Sequence, residues 1–254
     1  MDSLAVIIPT YGNFEYLERC LYSLDHTTSN YTAIVVDDAS PDWDDRRDVR
    51  LDHGNAIFHR FSENGGITRS WNYGLQRARE LGLKYSVATN SDVLFTPGWF
   101  EELKQATDHL DLVGPLTNAP GDSNLQRIQT HTLDYQLTDD WNYLEELARR
   151  LIKDFGGQVM KCRTNGFCQF ALTSTYWKHA FSKTHVYSPA LRMTGSEHDL
   201  GNRIRKSGGS TGVALSSFVF HYRGVSRGLT KDYVCRGSYR RTSYAPGSVS
   251  SSNI

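Results

Sequence analysis

The stretch "VATNSDVLF", residues 87 to 95, sets an amide and a carboxylate, Asn90 and Asp92, just after an apolar run and just before a Pro-Gly turn. A polar step there either closes the strand as an Asx turn or holds a ligand beyond its end. Other groups also have chemistry to offer. Asp37 and Asp38 end the β-branched run "YTAIVVDD", and Glu197 and Asp199 fall in the first turn of the helical pattern "SEHDLGNRIRK". His221 follows an apolar run, and Arg69, Arg223 and Lys231 carry charge that suits phosphates. Each has an ordinary alternative: a turn cap, an acid complementing a helix dipole, a satisfied histidine, a surface cation.

The elements that would position these residues alternate. "LAVIIPT" reads as a buried strand and "NFEYLERCLYSLDHT" as a helix with Asn13 as candidate N-cap. "YTAIVVDDAS" and "NAIFHRF" are further strands, "ITRSWNYGLQRARELG" is a helix closed by glycine, and "KYSVATNSD" is a fourth strand. The pattern predicts an α/β chain with a mixed, mostly parallel central sheet flanked by helices on both faces. Ligands in such sheets bind beyond the carboxyl ends of the strands, where Thr10, Asp37, Asp38, Asn90 and Asp92 all fall.

"PGWFEELKQATDHL" reads as another helix, and "GPLTN" ends a fifth strand. Residues 117 to 140 are rich in turn formers and predict a long functional loop or lid. An amphipathic helix ("DDWNYLEELARRLIKDFGG"), a strand ("NGFCQFALT"), the Glu197 helix and a last strand ("STGVALSSFVFHY") follow. Trp71, Trp99, Trp141 and Trp177 sit at helix-like positions that favour core packing. Residues 1–230 read as one domain, with a half at 1–115, a half at 116–230 and a polar, Ser-rich C-terminal extension at 231–254.

Lysine plus arginine equal aspartate plus glutamate at 28 each, which argues against wholesale binding to a nucleic acid polymer or an anionic membrane. No stretch approaches the ~20 apolar residues of an integral membrane segment, and the acidic start does not resemble a signal peptide. The expectation is a soluble cytoplasmic chain. Its four cysteines lack Cys-x-x-Cys spacing and are read as thiols, with no zinc site.

Together these segments resemble the family 2 glycosyltransferases, enzymes of the GT-A fold that move a sugar from a nucleotide diphosphate to an acceptor. The resemblance runs from about Leu4 to Ser226 and rests on several motifs in order. "VIIPTYGNFEYLERCLYSL" is similar to the first strand and helix, "VVDDASPD" to the second strand, and "NGGITRSWNYGL" to the Asn-x-Gly stretch that runs into a helix. "NSDVLFTPGWFEEL" resembles the Asp-x-Asp metal motif, "SEHDLGNRIRKSGG" the helix carrying the base, and "FHYRGVS" the late histidine motif.

The resemblance implies nucleotide contacts from Pro9, Thr10, Tyr11, Asp37 or Asp38, Asn64, Gly66, Arg69, Asn72, Asn90 and Ser91. It implies donor-sugar or acceptor contacts from Asn165 and Gly166, and Mn²⁺ or Mg²⁺ on Asp92 with His221. Asn90 stands where the motif usually has its first aspartate, so Asp92 alone supplies a carboxylate. Asp199-Leu200 matches the family's terminal Asp-Leu, which puts Glu197 at the base position and Asp199 in support. The implied partners are a nucleotide-diphospho-sugar donor (UDP-, GDP- or dTDP-linked) and a hydroxyl acceptor on a glycan, lipid or protein-linked sugar. Alternatives are a sugar-phosphate nucleotidyltransferase, which needs a Gly-rich basic loop that "PTYGNFEYLERC" lacks, and a non-catalytic carbohydrate- or nucleotide-binding module.

Overall fold

Every residue of the first strand, β1 (Leu4–Thr10), is buried, because both faces of its sheet are covered. Side chains alternate across a strand. Leu4, Val6 and Ile8 therefore enter one core with Phe14, Leu17 and Leu21 of α1 (Phe14–Thr27). Ala5 and Ile7 enter a second core with Trp71, Leu75 and Ala78 of α2 (Ile67–Glu80). Burial of each large aliphatic side chain stabilises by roughly 1.5–3 kcal/mol, so a one-residue slip of β1 would misplace both sets.

The computed structural model describes residues 3–41, 43 and 53–223. Lys231, the C-terminal extension and the end of the late histidine motif lie outside the described residues. β2 (Tyr31–Asp37), β3 (Ala56–Arg60) and β4 (Tyr85–Thr89) join β1 in parallel. β5 (Val93–Phe95), α3 (Trp99–Ala106) and β6 (Leu112–Leu116) follow. After a long loop come α4 (Trp141–Phe155), β7 (Val159–Lys161), β8 (Cys168–Leu172), α5 (Thr173–Lys178), α6 (Ser196–Lys206) and β9 (Thr211–His221). Among the described residues the sheet order is β3-β2-β1-β4-β8-β6-β9-β5, with β7 also on β9. β8 runs antiparallel between β4 and β6, and β9 is parallel to β6 but antiparallel to β5 and β7. The expected mixed, mostly parallel sheet is present, with the three-residue strands β5 and β7 and the short α5 added to it.

Asn13 occupies the N-cap of α1 without a side-chain cap bond, whereas Asp140 caps α4 by accepting from the Tyr143 amide at 2.9 Å. The loop at 117–140 is pinned in its first half. The Thr117 amide donates to the Gln126 carbonyl and the Ile128 amide to the Thr117 carbonyl, each at 2.9 Å, and Ile128 is buried beside Leu144 and Leu147 of α4. No helix among the described residues is long and apolar enough to cross a membrane.

Candidate active site

The carboxyl ends of β1, β2 and β4 open into a cleft of about 820 Å³, a volume that accommodates a small-molecule ligand. In the β1–β2 register Thr10 stands level with Asp37, and the Asp38 amide bonds the Thr10 carbonyl at 2.9 Å. The two aspartates divide the work. Asp37 is fully buried and outside the cleft lining: it accepts from the Ser40 amide and hydroxyl and lies 3.5 Å from Arg60. Burial pushes its carboxyl above the usual range, against the pull of those partners. The Ser40 hydroxyl in turn accepts from the Gly12 amide at 2.8 Å, so Asp37 organises the loop after β1.

Asp38 lines the cleft but is also engaged. It accepts from the Gly65 and Gly66 amides at 3.0 and 2.7 Å and pairs with Arg69 at 2.7 Å. Gly66 enters α2 with φ 90°, a conformation that favours glycine. Arg69 spends its charge on Asp38, and its guanidinium lies 3.8 Å from the Phe61 ring centre, outside the cleft. Asn72 is also outside: its amide exchanges two hydrogen bonds with the Tyr187 backbone. Pro9, Tyr11 and Asn64 do line the cleft, with Tyr11 44% exposed at its rim. Two buried hydroxyls in the cleft wall, those of Thr10 and Ser70, have no hydrogen-bond partner among the described residues.

Asp92 and His221 meet because β5 and β9 pair antiparallel, with Val93 opposite His221 and the Tyr222 amide on the Asp92 carbonyl at 2.9 Å. His221 Nε2 lies 3.3 Å from Asp92 Oδ1 and 3.2 Å from the Asn90 amide. Its Nδ1 lies 3.0 Å from the Ala119 carbonyl, which can only accept, so Nδ1 carries a hydrogen and Nε2 is the nitrogen that a cation could meet. A carboxylate oxygen and an imidazole nitrogen about 3 Å apart suit two adjacent positions around one divalent cation, and the Asn90 amide, turned, presents an oxygen beside them. Among the described residues no three His, Cys, Asp or Glu side chains form a metal-binding group. The protein's donors would thus be the side chains of Asp92, His221 and Asn90. Ser91 and Arg223 complete this wall.

Glu197, in the first turn of α6, lines the same cleft with Asn165 and Gly166. No described residue donates a hydrogen bond to its carboxylate. Asp199 points elsewhere: it pairs with Arg203 at 3.0 Å, and that guanidinium also donates to the His179 and Val186 carbonyls. Asn165 is set by its amide donating to Gln126 Oε1 at 2.7 Å, and its own Oδ1 lies 3.3 Å from His198 Nε2. Trp71, expected as core, is buried, donates to the Thr89 carbonyl at 2.9 Å and also lines the cleft.

The structure therefore gathers Thr10, Asp38, Asn64, Asp92, His221 and Glu197 around one space and leaves Asp37, Arg69, Asn72 and Asp199 outside it. Sequence reading did not single out Asn118, whose amide bonds the His221 backbone, Asp122, which lines the cleft, or His198 beside Asn165. Asn118, at the end of "GPLTN", gave a signal only through its place just past a strand.

This architecture is that of a GT-A-type α/β protein with a cleft across its strand ends. The family model described as Glycosyl transferase family 2 matches residues 5–176, and the chain belongs to that family. An uncharacterized glycosyltransferase of Rickettsia conorii is 30% identical over 109 residues, 42% of this chain and 18% of that protein. One from Rickettsia typhi is 30% identical over 109 residues, 42% of this chain and 33% of that protein. The matched segment thus spans a third or less of each relative.

Among solved structures, S. aureus TarS 1-349 superposes with TM-score 0.56 at 14% identity, covering 87% of this chain and 60% of that one. GalNAc-T7 with UDP, GalNAc and Mn²⁺ gives 0.62 at 16%, with 86% and 43% covered. The Pyrobaculum calidifontis mannosyltransferase PcManGT with GDP-Man and Mn²⁺ gives 0.59 at 15%, with 93% and 58% covered. At these identities the likeness is one of fold.

Proposed function

We propose that the protein is an inverting glycosyltransferase that moves a sugar from a UDP-, GDP- or dTDP-sugar to a hydroxyl of a glycan, lipid or protein-linked sugar by a single displacement. One observation carries this reading: a single cleft is lined by both the Asp92–His221 pair and Glu197. Residues 1–115 supply most of the donor side, and residues 116–230 bring Glu197, Asn165 and His221.

The nucleoside lies against Pro9, Thr10, Tyr11, Asn64 and Gly66, with Asp38 holding the glycine amides in place. Asn165, Gly166 and Trp71 border the sugar. Glu197 takes the proton of the acceptor hydroxyl as that oxygen attacks the anomeric carbon from the face opposite the diphosphate. The bond to the β-phosphate oxygen breaks, and its electrons leave with the nucleoside diphosphate. A divalent cation, Mn²⁺ or Mg²⁺, held by Asp92, His221 and the Asn90 amide oxygen would neutralise the charge on that leaving group. Arg223, on the same wall, adds positive charge.

The proposed base belongs to α6, whereas the proposed cation donors sit just before β5 and at the end of β9, so a substitution at Glu197 tests the base separately. Proton NMR of the first sugar released from each donor, with water or a glycan as acceptor, tests the stereochemistry. The expected product has the anomeric configuration opposite to the donor's, formed roughly 10²–10⁴-fold more slowly by Glu197→Gln. Retention, or turnover unchanged in that variant, would contradict the mechanism.

A further inference from the structure

His221 sits where the ladder between β6 and β9 has given out. The two strands run in register from Leu112 opposite Thr211 to Pro115 opposite Ala214, then the register slips and Leu116 faces Phe218. Beyond that slip a side chain takes over the role of the missing strand. Asn118 Oδ1 accepts from the His221 amide at 2.8 Å, and Asn118 Nδ2 donates to the His221 carbonyl at 2.9 Å. An asparagine amide carries the same donor and acceptor as a peptide group, so one side chain satisfies both backbone groups of His221.

The neighbouring residue fixes the ring. The Ala119 carbonyl accepts from Nδ1 at 3.0 Å, and the Phe167 ring stacks on the imidazole with centroids 5.2 Å apart and planes 17° apart. Backbone position, the Nδ1 hydrogen and ring plane are thus all set by groups at 118, 119 and 167, and Nε2 is left toward Asp92 and the Asn90 amide. Asn118 itself is 6% exposed, with the Thr117 hydroxyl donating to its Oδ1 at 3.3 Å.

We infer that Asn118 is a positioning residue for the divalent-cation site: it holds His221 where Nε2 and Asp92 Oδ1 bind one ion together. This rests on the cation part of the proposed function. Groups that orient a metal-binding histidine typically change metal affinity by about 10–100-fold when removed. The amide is suited to the task because it both accepts and donates; Asn118→Asp keeps the acceptor but sets a carboxylate against the His221 carbonyl.

The test is calorimetric titration of Mn²⁺ into the protein saturated with UDP or GDP, whichever the wild type binds, with a parallel nucleotide titration in chelator. Asn118→Ala and Asn118→Asp are expected to weaken Mn²⁺ binding roughly 10–100-fold while nucleotide affinity in chelator stays within about threefold. In the His221→Ala background Asn118→Ala should add little further loss, since the two act through one ligand. Equal weakening in the chelator arm, or full additivity with His221→Ala, would overturn the inference as a merely structural effect. Wild-type protein that binds nucleotide but no Mn²⁺ would overturn it together with the cation site. Wild-type protein that binds no nucleotide would overturn the transferase reading as well.

Discussion

Glu197 packs against Gly166: a Cβ built on Gly166 would lie 3.2 Å from Glu197 Cδ and 3.1 Å from Cη2 of Trp71. Trp71 is held by its bond to Thr89, so Gly166→Ala is expected to displace the Glu197 carboxylate. Gly166 has no positive φ, so the backbone itself tolerates alanine. Sugar transfer should fall roughly 10–100-fold with little change in melting temperature, because small misplacements of a catalytic group are costly. Unchanged turnover in a folded variant would argue against Glu197 as the base.

The two acids of α6 should separate cleanly. Glu197→Gln should remove most transfer and leave nucleotide affinity unchanged. Asp199→Asn breaks the partly exposed pair with Arg203 and should cost about 0.2–1 kcal/mol of stability, with activity changed far less than in Glu197→Gln. Steady-state kinetics and urea denaturation of both variants check this, and a larger activity loss at Asp199 would reverse the assignment.

The strand ends were legible because β-branched runs closing in polar residues mark a parallel sheet, and a parallel sheet gathers its carboxyl ends on one edge. Which of two adjacent residues faces that edge was not legible. Asp37 is the last residue of β2 and turns into the protein, whereas Asp38, one step later, turns to the cleft. On α2 each residue rotates about 100° from the last, so Ser70 and Trp71 face the cleft while Arg69 and Asn72 face away. The Asn-x-Gly motif named the right turn of helix but could not name its inward face. Asn118 and the three-residue strands β5 and β7 are too short or too isolated to leave a periodic signal, and their positions come from pairing with β9.

Gly74 lets α2 approach β1. A Cβ there would sit 2.2 Å from Ile7 Cγ2, and Ile7 is fully buried. Overpacking of this kind costs roughly 1–3 kcal/mol, more than the ~1 kcal/mol that alanine gains over glycine in a helix. Gly74→Ala should lower the urea midpoint, and the double variant with Ile7→Ala should lose less stability than the sum of the two single losses. A stabilised Gly74→Ala would show that the helix can move away freely.

His179 is expected to give the fold a pH dependence away from the cleft. Its Nδ1 meets the Ser207 hydroxyl at 3.1 Å, while Nε2 is buried without a partner among the described residues. Burial, then the Lys178 charge, lower its pKa below 6.5, with Arg203 adding to the effect and Asp111 opposing it. The folded protein therefore binds this proton less readily than the unfolded chain. The contribution is complete above the unfolded value and is lost as pH falls from about 6.5 toward the lower folded value. Between pH 7 and pH 5.5 the melting temperature of wild type should fall more than that of His179→Asn. Parallel curves for the two proteins would remove His179 as the cause.

The most direct measurement is a calorimetric titration of the protein with UDP-, GDP- and dTDP-sugars, each in Mn²⁺, in Mg²⁺ and in chelator. Binding of one base, weakened by chelator and by Asp92→Ala, is the expected result. Failure of every nucleotide sugar to bind under all three conditions would contradict the donor-binding cleft on which the proposed transfer depends.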